Sequence, residues 1–439
     1  MKLVILGGGE SGVGSAILAQ AKGYDVFLSD FGIIKDNYRQ MLDSHGIKWE
    51  DSGHTEKLIL DADEVLKSPG IPDEAPVMKK IIGKHFPVIS EMEFASRYTK
   101  AKMICITGSN GKTTTTSLIF YILKKAGYNV GLAGNIGRSL ALQVLEDKTD
   151  YYVIELSSFQ LDNMYNFKAD VSVLMNITPD HLDRYQFQMQ RYIDSKMRII
   201  QNQTPEDVFI YWKQDEHIGQ ELKRLQSTIA EAPTPSSRPA AKGNPSLCGF
   251  CDDDFTRLEL EFSQPGIHNR RNAMAAYFAT KSIGTDEQTI RQCLKDFPGV
   301  EHRLEKVAVK DGITYINDSK ATNVDACHVA LQAINSPIVL ILGGKDKGND
   351  YSAIYNLVKE KCCALVYLGA DNSKLHASFD SIGIPVADTH SMADCLKACR
   401  SFATEGCTVL LSPCCASFDL FHNMEDRGEQ FKDCVSKIV

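Results

Sequence analysis

The stretch Gly108-Ser109-Asn110-Gly111-Lys112-Thr113 constrains this chain most strongly, because it joins an apolar run at 103–106 to a helix-like run at 114–125. In a unit of strand, glycine turn, Lys-Thr and helix, the backbone N–H groups and the helix N-terminus surround nucleotide phosphates. The lysine reaches the terminal phosphates, and the threonine hydroxyl binds Mg²⁺. The loop is shortened, since Ile106 occupies the position of the usual first glycine. This unit predicts that the chain uses ATP or GTP.

Three strand-to-glycine openings indicate an α/β fold. Short, unbroken apolar runs at 2–6, 103–106 and 338–342 each lead into a glycine-containing turn, with helical patterns between them. Such runs are typical of parallel strands buried on both faces. We therefore predict three domains: a Rossmann-like N-terminal domain (1–97), a central P-loop ATPase-like parallel sheet (98–298) and a Rossmann-like C-terminal domain (299–439). The Pro-, Ala- and Ser-rich segment 231–246 is interpreted as a loop inside the central domain.

Composition argues against several classes of protein. The 439 residues carry a formal net charge of −8, so general binding to nucleic acid or to an anionic membrane is not expected. No apolar stretch approaches the ~20 residues of a membrane span, and the N-terminal residues lack the features of a signal peptide. We expect a cytoplasmic protein whose 13 cysteines are reduced thiols.

The first glycine turn fits the dinucleotide fingerprint. Gly7, Gly9 and Gly12 follow a strand and open a helix-like run, and the next predicted strand ends at Asp30. In such a unit the helix N-terminus holds a diphosphate and the acid holds a ribose. A turn that only packs helix against strand is the alternative, and the pattern does not identify the nucleotide.

Polar residues also follow strands of the central domain, at the edge where open α/β sheets bind ligands. Glu155 ends the run at 151–154 and is placed to hold Mg²⁺. His181 follows the run at 171–177, where it ligates a metal, contacts phosphate, caps a helix or packs in the core. A capping role is also open for Glu155. Lys196, on the next helical run, is by itself an ordinary surface lysine.

Further polar loops follow predicted strands of the C-terminal domain, at 317–323, 343–348 and 412–418. Each alone could be an ordinary loop, but three at the strand ends of one sheet indicate a ligand site. In the central domain, His268 and Asn269 open another helix, where they either cap it or contact a base.

Together these residues resemble the Mur ligase family of cell-wall peptide synthesis. The motifs that carry the resemblance run in family order across nearly the whole chain, at 108–114, 134–137, 155–161, 180–183, 268–269, 301–303 and 318–323. The string at 155–161, the segment 68–71 and the short third domain point to the member that adds D-glutamate.

The resemblance implies an ATP-dependent ligase of peptidoglycan precursor synthesis, which joins D-glutamate to the L-alanyl carboxylate of UDP-N-acetylmuramoyl-L-alanine. ATP would phosphorylate that carboxylate, and the amine of D-glutamate would displace phosphate from the acyl phosphate. A carboxylate reacts with an amine only once its oxygen becomes a good leaving group, and the developing charge needs cations. Lys112 and bound metal ions would supply them.

The matching motifs assign roles to individual residues. Lys112, Glu155, His181 and Lys196 would be catalytic. Thr113 and Glu155 would hold one Mg²⁺. His181 and Lys196 would hold a second Mg²⁺, with Lys196 present as the carbamate that the family carries at this position. The ATP-binding residues would be Gly108, Ser109, Asn110, Gly111, Lys112, Thr113, Thr114, Asn269, Arg303 and Asp318. The UDP-linked substrate would be held by Gly9, Ser11, Gly12, Asp30, Ser68, Asn135 and His181, and D-glutamate by Thr322, Lys347, Ser417 and Phe418.

Two positions depart from the family pattern. Phe31 and Gly32 follow Asp30 where relatives often place a basic or hydroxyl group, which leaves Lys35 as the nearest cation for the uridine. Met424 stands where relatives often have an aromatic residue beside the amino-acid pocket.

Three other functions compete with this interpretation: a nicotinamide-dependent oxidoreductase, a non-catalytic nucleotide-binding switch, and a sister ligase that adds another amino acid. The oxidoreductase would use the first glycine turn but leaves Lys112 and Glu155 unexplained. Because ATP contacts are expected from the second and third domains, we expect the third domain to close on binding. We expect no nucleic-acid partner, no membrane insertion and a monomer.

Overall fold

The computed structural model describes residues 1–146, 148–230, 244–346 and 348–438, with the backbone alone for residues 226–230. The described chain divides into two compact units, Met1–Phe297 and Pro298–Val439. The predicted α/β architecture of three parts is confirmed, and each part is built on a largely parallel sheet. The boundaries after residues 97 and 298 remain predictions. Most of the segment 231–246, predicted to be a loop, lies outside the described residues.

The first sheet lies in the N-terminal part of the first unit and is parallel throughout its described pairs. Its strands, in the spatial order β3-β2-β1-β4-β5, are β1 (Lys2–Leu6), β2 (Asp25–Ser29), β3 (Lys48–Glu50), β4 (Glu64–Lys67) and β5 (Val88–Ile89). The helices of this part are α1 (Glu10–Ala21), α2 (Asp36–Ser44), α3 (Glu56–Ile59), α4 (Pro76–Gly83) and α5 (Glu91–Ser96). The predicted strand at 2–6 is confirmed.

The second sheet belongs to the same unit and is also parallel in its described pairs. Its strands, in the order β11-β10-β9-β6-β8-β7, are β6 (Lys102–Thr107), β7 (Val130–Gly134), β8 (Tyr151–Glu155), β9 (Val171–Leu174), β10 (Val208–Trp212) and β11 (Ser246–Phe250). Its helices are α6 (Lys112–Lys125), α7 (Leu140–Glu146), α8 (Ser158–Asp162), α9 (Met189–Met197), α10 (Glu216–Ala230), α11 (Asp253–Arg257), α12 (Ile267–Ser282) and α13 (Glu287–Asp296). Short 3₁₀ helices occupy Leu182–Tyr185 and Arg198–Ile200. β9 ends at Leu174, three residues before the predicted end of that strand.

The third sheet belongs to the second unit, and it is mixed because its first strand pairs antiparallel with the second. Its strands, in the order β12-β13-β17-β14-β15-β16, are β12 (Glu305–Lys310), β13 (Ile313–Asn317), β14 (Ile338–Gly343), β15 (Cys362–Leu368), β16 (Val386–Thr389) and β17 (Thr408–Cys414). Its helices are α14 (Val324–Ala333), α15 (Ser352–Lys361), α16 (Ser373–Phe379), α17 (Met392–Phe402) and α18 (Met424–Ser436), with a 3₁₀ turn at Asp380–Ile382.

Burial explains why these runs form sheets. In the first unit one apolar cluster continues from Ile5 and Leu66 of the first sheet to Ile154 and Leu174 of the second. In the second unit β14 is buried along its whole length, with apolar clusters on its two faces. Strands covered on both faces need no polar alternation, which is why their sequences are unbroken apolar runs. No helix of the described residues is long and apolar enough to cross a membrane.

Several motif residues begin helices. Ser157 and Gln160 form a reciprocal capping box at the start of α8, so part of the string at 155–161 serves the helix N-terminus. Asn323, which ends the motif at 318–323, accepts a hydrogen bond from Ala326 N at the start of α14. Each cap begins a helix that leads away from the end of the preceding strand. The polar residues before the cap therefore stay at the strand end.

Truncation of a central core side chain of the second unit should lower its stability. Ile341 of β14 is fully buried, so Ile341→Ala should reduce the free energy of unfolding by about 2–5 kcal/mol. Urea denaturation followed by far-UV circular dichroism measures this loss, since both tryptophans lie in the other unit. Lys359→Ala on the exposed face of α15 is the control, expected to change stability by less than about 0.5 kcal/mol. Equal losses in the two variants would contradict this assignment of the core.

Candidate active site

The phosphate loop runs from β6 into α6, and glycine is required at two of its positions. Gly108 has φ 145° and Gly111 has φ 86°, a region that side chains rarely adopt. A Cβ on Gly108 would lie 2.9 Å from Met175 Cβ, and one on Gly111 would lie 2.4 Å from Asn272 Oδ1. The loop therefore packs closely against the segment after β9 and against α12.

Two loop residues use their backbone N–H groups to fix the loop. Ser109 N donates to Asn176 O at 2.9 Å, and Asn110 N donates to Asn176 Oδ1 at 2.8 Å. The Ser109 hydroxyl donates to Thr178 O at 2.8 Å. The N–H groups that follow, from Lys112 onward, belong to the first turn of α6, where an α-helix provides no internal acceptor. These are the groups suited to an anion.

Two lysines meet at one carbonyl of this loop. Lys112 Nζ donates to Gly108 O and Ser109 O, each at 2.9 Å, and Lys196 Nζ donates to Gly108 O at 2.8 Å. Lys196 is 2% exposed, so it is not the surface lysine that its sequence context suggests. Burial, followed by repulsion from Lys112, lowers the pKa of Lys196 well below its ordinary value of 10.5. The arrangement favours a neutral amine at Lys196.

Glu155 ends β8 with its carboxylate buried. Its Oε1 accepts a hydrogen bond from Asn135 Nδ2 at 2.9 Å, and its backbone carbonyl accepts one from Asn135 N at 2.9 Å. Its Oε2 is buried and has no hydrogen-bond partner among the described residues. A buried carboxylate oxygen without a donor is costly unless a cation binds it, so the residue fits a metal ligand. Thr113, also buried, lies in the first turn of α6.

His181 lies on the loop after β9 in a left-handed conformation, with φ 51°. Its side chain is 56% exposed; Nε2 lies 3.7 Å from Asp180 Oδ1, and the ring packs edge-on against Phe159 at 5.2 Å. These contacts keep the imidazole accessible. They do not join His181 directly to Lys196 or Glu155.

The link from Asn269 to the phosphate loop runs through Asn272. Asn272 Nδ2 donates to Asn269 Oδ1 at 3.1 Å, and Thr115 Oγ1 donates to Asn272 Oδ1 at 3.3 Å. Asn269 also donates to Pro265 O. Asn176 and Asn272 are thus site residues that sequence reasoning missed. The signals were an amide near the end of the apolar run at 171–177 and a second amide one helical turn after Asn269.

The first glycine turn is a compact loop held by Asp30. Gly8 N donates to Asp30 Oδ2 at 2.5 Å, and Gly32 N donates to Asp30 Oδ1 at 2.7 Å. A Cβ on Gly12 would lie 1.9 Å from Gly7 O, whereas one on Gly9 would meet no atom within 4 Å. Gly9, at the start of α1, is therefore the open part of the loop. Each Asp30 oxygen accepts one backbone N–H, which fixes the carboxylate beside the loop and leaves each oxygen a further acceptor site.

The other residues assigned to the UDP-linked substrate have local partners. The hydroxyl of Ser68 lies beside Gly7, where an added Cβ would come within 2.3 Å of it. The hydroxyl of Ser11 lies beside the Glu91 carboxyl, whose ionised form it favours. Phe31 is 77% exposed, with its ring 5.8 Å from that of His54.

In the second unit, Asp318 is buried at the end of β13. Its Oδ1 accepts a hydrogen bond from Leu304 N at 3.2 Å, and its Oδ2 accepts one from Ser412 Oγ at 2.8 Å. Burial raises the pKa of Asp318 to about 7, although the Arg303 charge opposes the shift. The residue before β12 and a residue of β17 therefore meet at this carboxyl.

Three of the residues assigned to D-glutamate are described, and they lie on loops of the second unit after β13 and β17. Ser417 is buried, while Phe418 is 66% exposed and Thr322 is half-buried. Lys347 lies outside the described residues. Cys414, the last residue of β17, and Cys415 are free thiols whose pKa burial raises, which argues against reactive thiolates.

Three family models of protein domains match the chain. The model of the MurD N-terminal domain matches residues 2–77, and that of the Mur ligase middle domain matches residues 106–280. The model of the Mur ligase glutamate ligase domain matches residues 302–415. The chain belongs to the Mur ligase family, and it is an ATP-dependent ligase that forms amide bonds. The resemblance inferred from the motifs is confirmed.

Individual relatives define the branch of the family. The chain is 57% identical to a UDP-N-acetylmuramoylalanine--D-glutamate ligase of Bacteroides thetaiotaomicron over 100% of both chains. It is 51% identical to the enzyme of that name from Porphyromonas gingivalis, over 98% of this chain and 97% of that one. Its fold is similar to that of UDP-N-acetylmuramate-alanine ligase MurC from Thermotoga maritima, with a TM-score of 0.61, 20% identity and 99% of each chain covered.

The buried Asp318 should make stability depend on pH. Because its folded pKa of about 7 lies above the ordinary 3.8, the folded protein keeps a proton that the unfolded chain loses between these values. Its contribution is therefore fully present below pH 3.8 and is lost as pH rises towards 7. Relative to the wild type, Asp318→Asn should gain stability over this range, by on the order of 4 kcal/mol.

Urea denaturation of both proteins at several pH values measures the difference. Asp325→Asn, at an exposed position of α14, is the control and should track the wild type. A pH-independent difference between wild type and Asp318→Asn would show that the folded carboxyl titrates normally.

Proposed function

We propose that this protein joins D-glutamate to the L-alanyl carboxylate of UDP-N-acetylmuramoyl-L-alanine, with ATP as the phosphoryl donor, in peptidoglycan precursor synthesis. The observation that carries the proposal is the meeting of Lys112 and Lys196 at Gly108 O, in a chain 57% identical over its whole length to a ligase of that name. We further propose that the reaction takes place in the cytoplasm, where ATP is supplied, and that the protein is a monomer.

The reaction needs two group transfers. The γ-phosphoryl group of ATP passes to a carboxylate oxygen of the L-alanyl arm, giving an acyl phosphate and ADP. The amine nitrogen of D-glutamate then attacks the acyl carbon, the C–O bond to phosphate breaks, and the nitrogen loses a proton. Both steps develop negative charge on oxygen, so fixed cations and N–H groups lower both barriers.

The phosphate loop supplies several of these groups. The N–H groups at the start of α6 would face the phosphates, and the Lys112 ammonium is held at the loop by Gly108 O and Ser109 O. We assign Gly108 to Thr114 to the phosphates and Asn269 to the adenine nucleotide. In the second unit, Arg303 and Asp318 keep their assignment as nucleotide contacts.

The donor set of the loop and β8 fits Mg²⁺. Glu155 Oε2 is a buried carboxylate oxygen without a hydrogen-bond donor among the described residues, and Asn135 fixes the other oxygen. Together with the Thr113 hydroxyl, Glu155 would hold one ion. When bound, Mg²⁺ neutralises phosphate charge. Asn135 then acts as the residue that orients the carboxylate.

Lys196 fits the carbamate that the family carries at this position. Only a neutral amine adds to CO₂, and burial lowers the pKa of Lys196 well below 10.5. Addition forms an N–C bond, releases one proton and leaves an anionic carboxylate, which the adjacent Lys112 ammonium would stabilise. With His181, this group would hold a second metal ion. The cationic side chain would thereby become an oxygen ligand.

The remaining residues are assigned to the UDP-linked substrate and to D-glutamate. Gly9, the open part of the first glycine turn, would receive the diphosphate of the UDP-linked substrate at the N-terminus of α1, where Gly12 packs against Gly7 O. Gly12 and Asp30, which hold this loop, are assigned to the same substrate. Ser11, Ser68, Asn135 and His181 are assigned to the same substrate. Thr322, Ser417 and Phe418 are assigned to D-glutamate, with Lys347 assigned from sequence alone.

The amino-acid requirement tests the function directly. Phosphate release from ATP and Mg²⁺ should need both UDP-N-acetylmuramoyl-L-alanine and D-glutamate, because the acyl phosphate forms on the first and is consumed by the second. L-Glutamate and L-alanine in parallel reactions are the controls. Release supported by L-alanine alone would assign the protein to a sister ligase, and no release with any amino acid would refute the proposal.

The two lysines at Gly108 should differ in their response to substitution. Lys112→Ala should lose nearly all turnover, since no added acid replaces an ammonium at the phosphates. Lys196→Ala should lose most turnover, with partial recovery on adding bicarbonate or a short carboxylic acid. Initial rates of phosphate release measure both effects.

A modification readout makes the second lysine test independent of turnover. Wild-type protein equilibrated with ¹³C-labelled CO₂ should show a carbamate carbon signal by NMR that Lys196→Ala lacks. Arg191→Ala, on an exposed position of the same helix, should keep both the signal and the activity. Full activity in Lys196→Ala, or an unchanged signal, would remove the carbamate role.

A further inference from the structure

Ser139 is held by two carboxylates that come from the N-terminal part of the first unit. Its backbone N–H donates to Glu10 Oε1 at 2.9 Å, and its hydroxyl donates to Glu91 Oε1 at 2.5 Å. Glu10 begins α1, directly after Gly9, and Glu91 begins α5. The hydroxyl oxygen also accepts from Leu142 N at 3.3 Å, so Ser139 caps α7 as well. One serine thus connects the first glycine turn to the second sheet.

Glu91 is the buried centre of this connection. Its side chain is 4% exposed, and Oε1 accepts from Ala141 N at 3.1 Å in addition to Ser139. Its Oε2 is buried without a hydrogen-bond partner among the described residues. Burial and the nearby Glu10 carboxylate raise the pKa of Glu91, while Ser139, Ser11 and Ala141 N oppose the shift. The partners of the Glu91 carboxyl are hydroxyls and a backbone N–H, so hydrogen bonds rather than an ion pair hold this side chain in place.

The connection continues from Ser139 to the candidate metal ligand. The loop between β7 and α7 is five residues long and runs from Asn135 to Ser139. Asn135 holds both the Oε1 and the backbone carbonyl of Glu155. Gly134 lies against the same backbone, because a Cβ there would be 2.1 Å from Glu155 O. A displacement of Ser139 would therefore be passed to Asn135 and to the orientation of the Glu155 carboxylate.

We propose that Glu91 is a positioning residue that couples occupancy of the first glycine turn to metal-nucleotide binding at Glu155. This inference rests on the proposed function, since it needs a UDP-linked substrate at Gly9 and a metal at Glu155. A diphosphate that fixes the start of α1 fixes Glu10 and Ser11, and through Glu91 and Ser139 it fixes the loop that carries Asn135. By linkage, each ligand then raises the affinity for the other by the same factor.

Calorimetric titration of Mg²⁺-ADP, which supports no turnover, measures this factor with and without saturating UDP-N-acetylmuramoyl-L-alanine. In the wild type, the dissociation constant for Mg²⁺-ADP should fall about fivefold or more when the UDP-linked substrate is bound. The coupling ratio is the dissociation constant for Mg²⁺-ADP without the UDP-linked substrate divided by the constant with it. In Glu91→Ala this ratio should approach one, while the dissociation constant of each ligand measured alone changes by less than about threefold. Glu91→Gln, which keeps the acceptor oxygen, should keep most of the ratio.

Two further variants separate coupling from loss of structure. Ser139→Ala removes the other end of the same bond and should lower the ratio as Glu91→Ala does, with no further loss in the double variant. Glu93→Gln is the matched control, because Glu93 is equally buried on α5 but binds the N–H groups of Tyr165, Asn166 and Phe167. It should lower the melting temperature and keep the ratio.

Several results would overturn the inference. A wild-type ratio of one, with both ligands bound, would show that the two sites are independent and would leave the proposed function intact. A ratio in Glu91→Ala or Ser139→Ala equal to that of the wild type would remove the role of the Ser139 connection. Failure of the wild type to bind the UDP-linked substrate would refute the proposed function itself and the coupling with it.

Discussion

The carbonyl of Gly108 is the contact on which the candidate active site depends. It accepts hydrogen bonds from both Lys112 and Lys196, and glycine at this position lets the loop lie against Met175. Burial, followed by repulsion from the Lys112 ammonium at the same oxygen, lowers the pKa of Lys196 well below its ordinary value. A cation for phosphate and a neutral amine for chemical modification thus occupy neighbouring positions on one short loop.

Buried ionisable groups elsewhere in the chain follow the same logic. Glu155, Asp318 and Glu91 are each almost fully buried. Packing alone would favour an apolar side chain at such buried positions. Such burial costs free energy unless a partner or a ligand compensates for it. Glu155 and Asp318 end strands at the ligand-binding edge of their sheets, and Glu91 begins the helix that touches the connecting loop. Their burial is better explained by ligand binding and positioning than by stability.

The sequence predicted the elements well because buried parallel strands and glycine turns leave local signals. The strand, turn and helix around Lys112 and the architecture of three α/β parts could be inferred from apolar runs alone. The contacts of Asn176 and Asn272 that fix the phosphate loop could not be inferred from the sequence. They join residues that lie 66 and 157 positions apart in the chain, respectively. The burial of Lys196 was also invisible, because a helical pattern does not show that the Nζ reaches Gly108. The hydrogen bonds from Gly8 and Gly32 to Asp30 were likewise not visible in the sequence, and the assignment of Asp30 to the UDP-linked substrate stays a prediction.

The fate of the carboxylate oxygen tests the account most directly. With ¹⁸O in the L-alanyl carboxylate of the UDP-linked substrate, attack of that oxygen on the γ-phosphorus of ATP places it in the phosphate that later leaves. Mass spectrometry of the released phosphate should therefore find one ¹⁸O atom for each amide bond formed. Phosphate without the label, at full product formation, would contradict an acyl phosphate and with it the chemistry assigned to Lys112, Glu155 and Lys196.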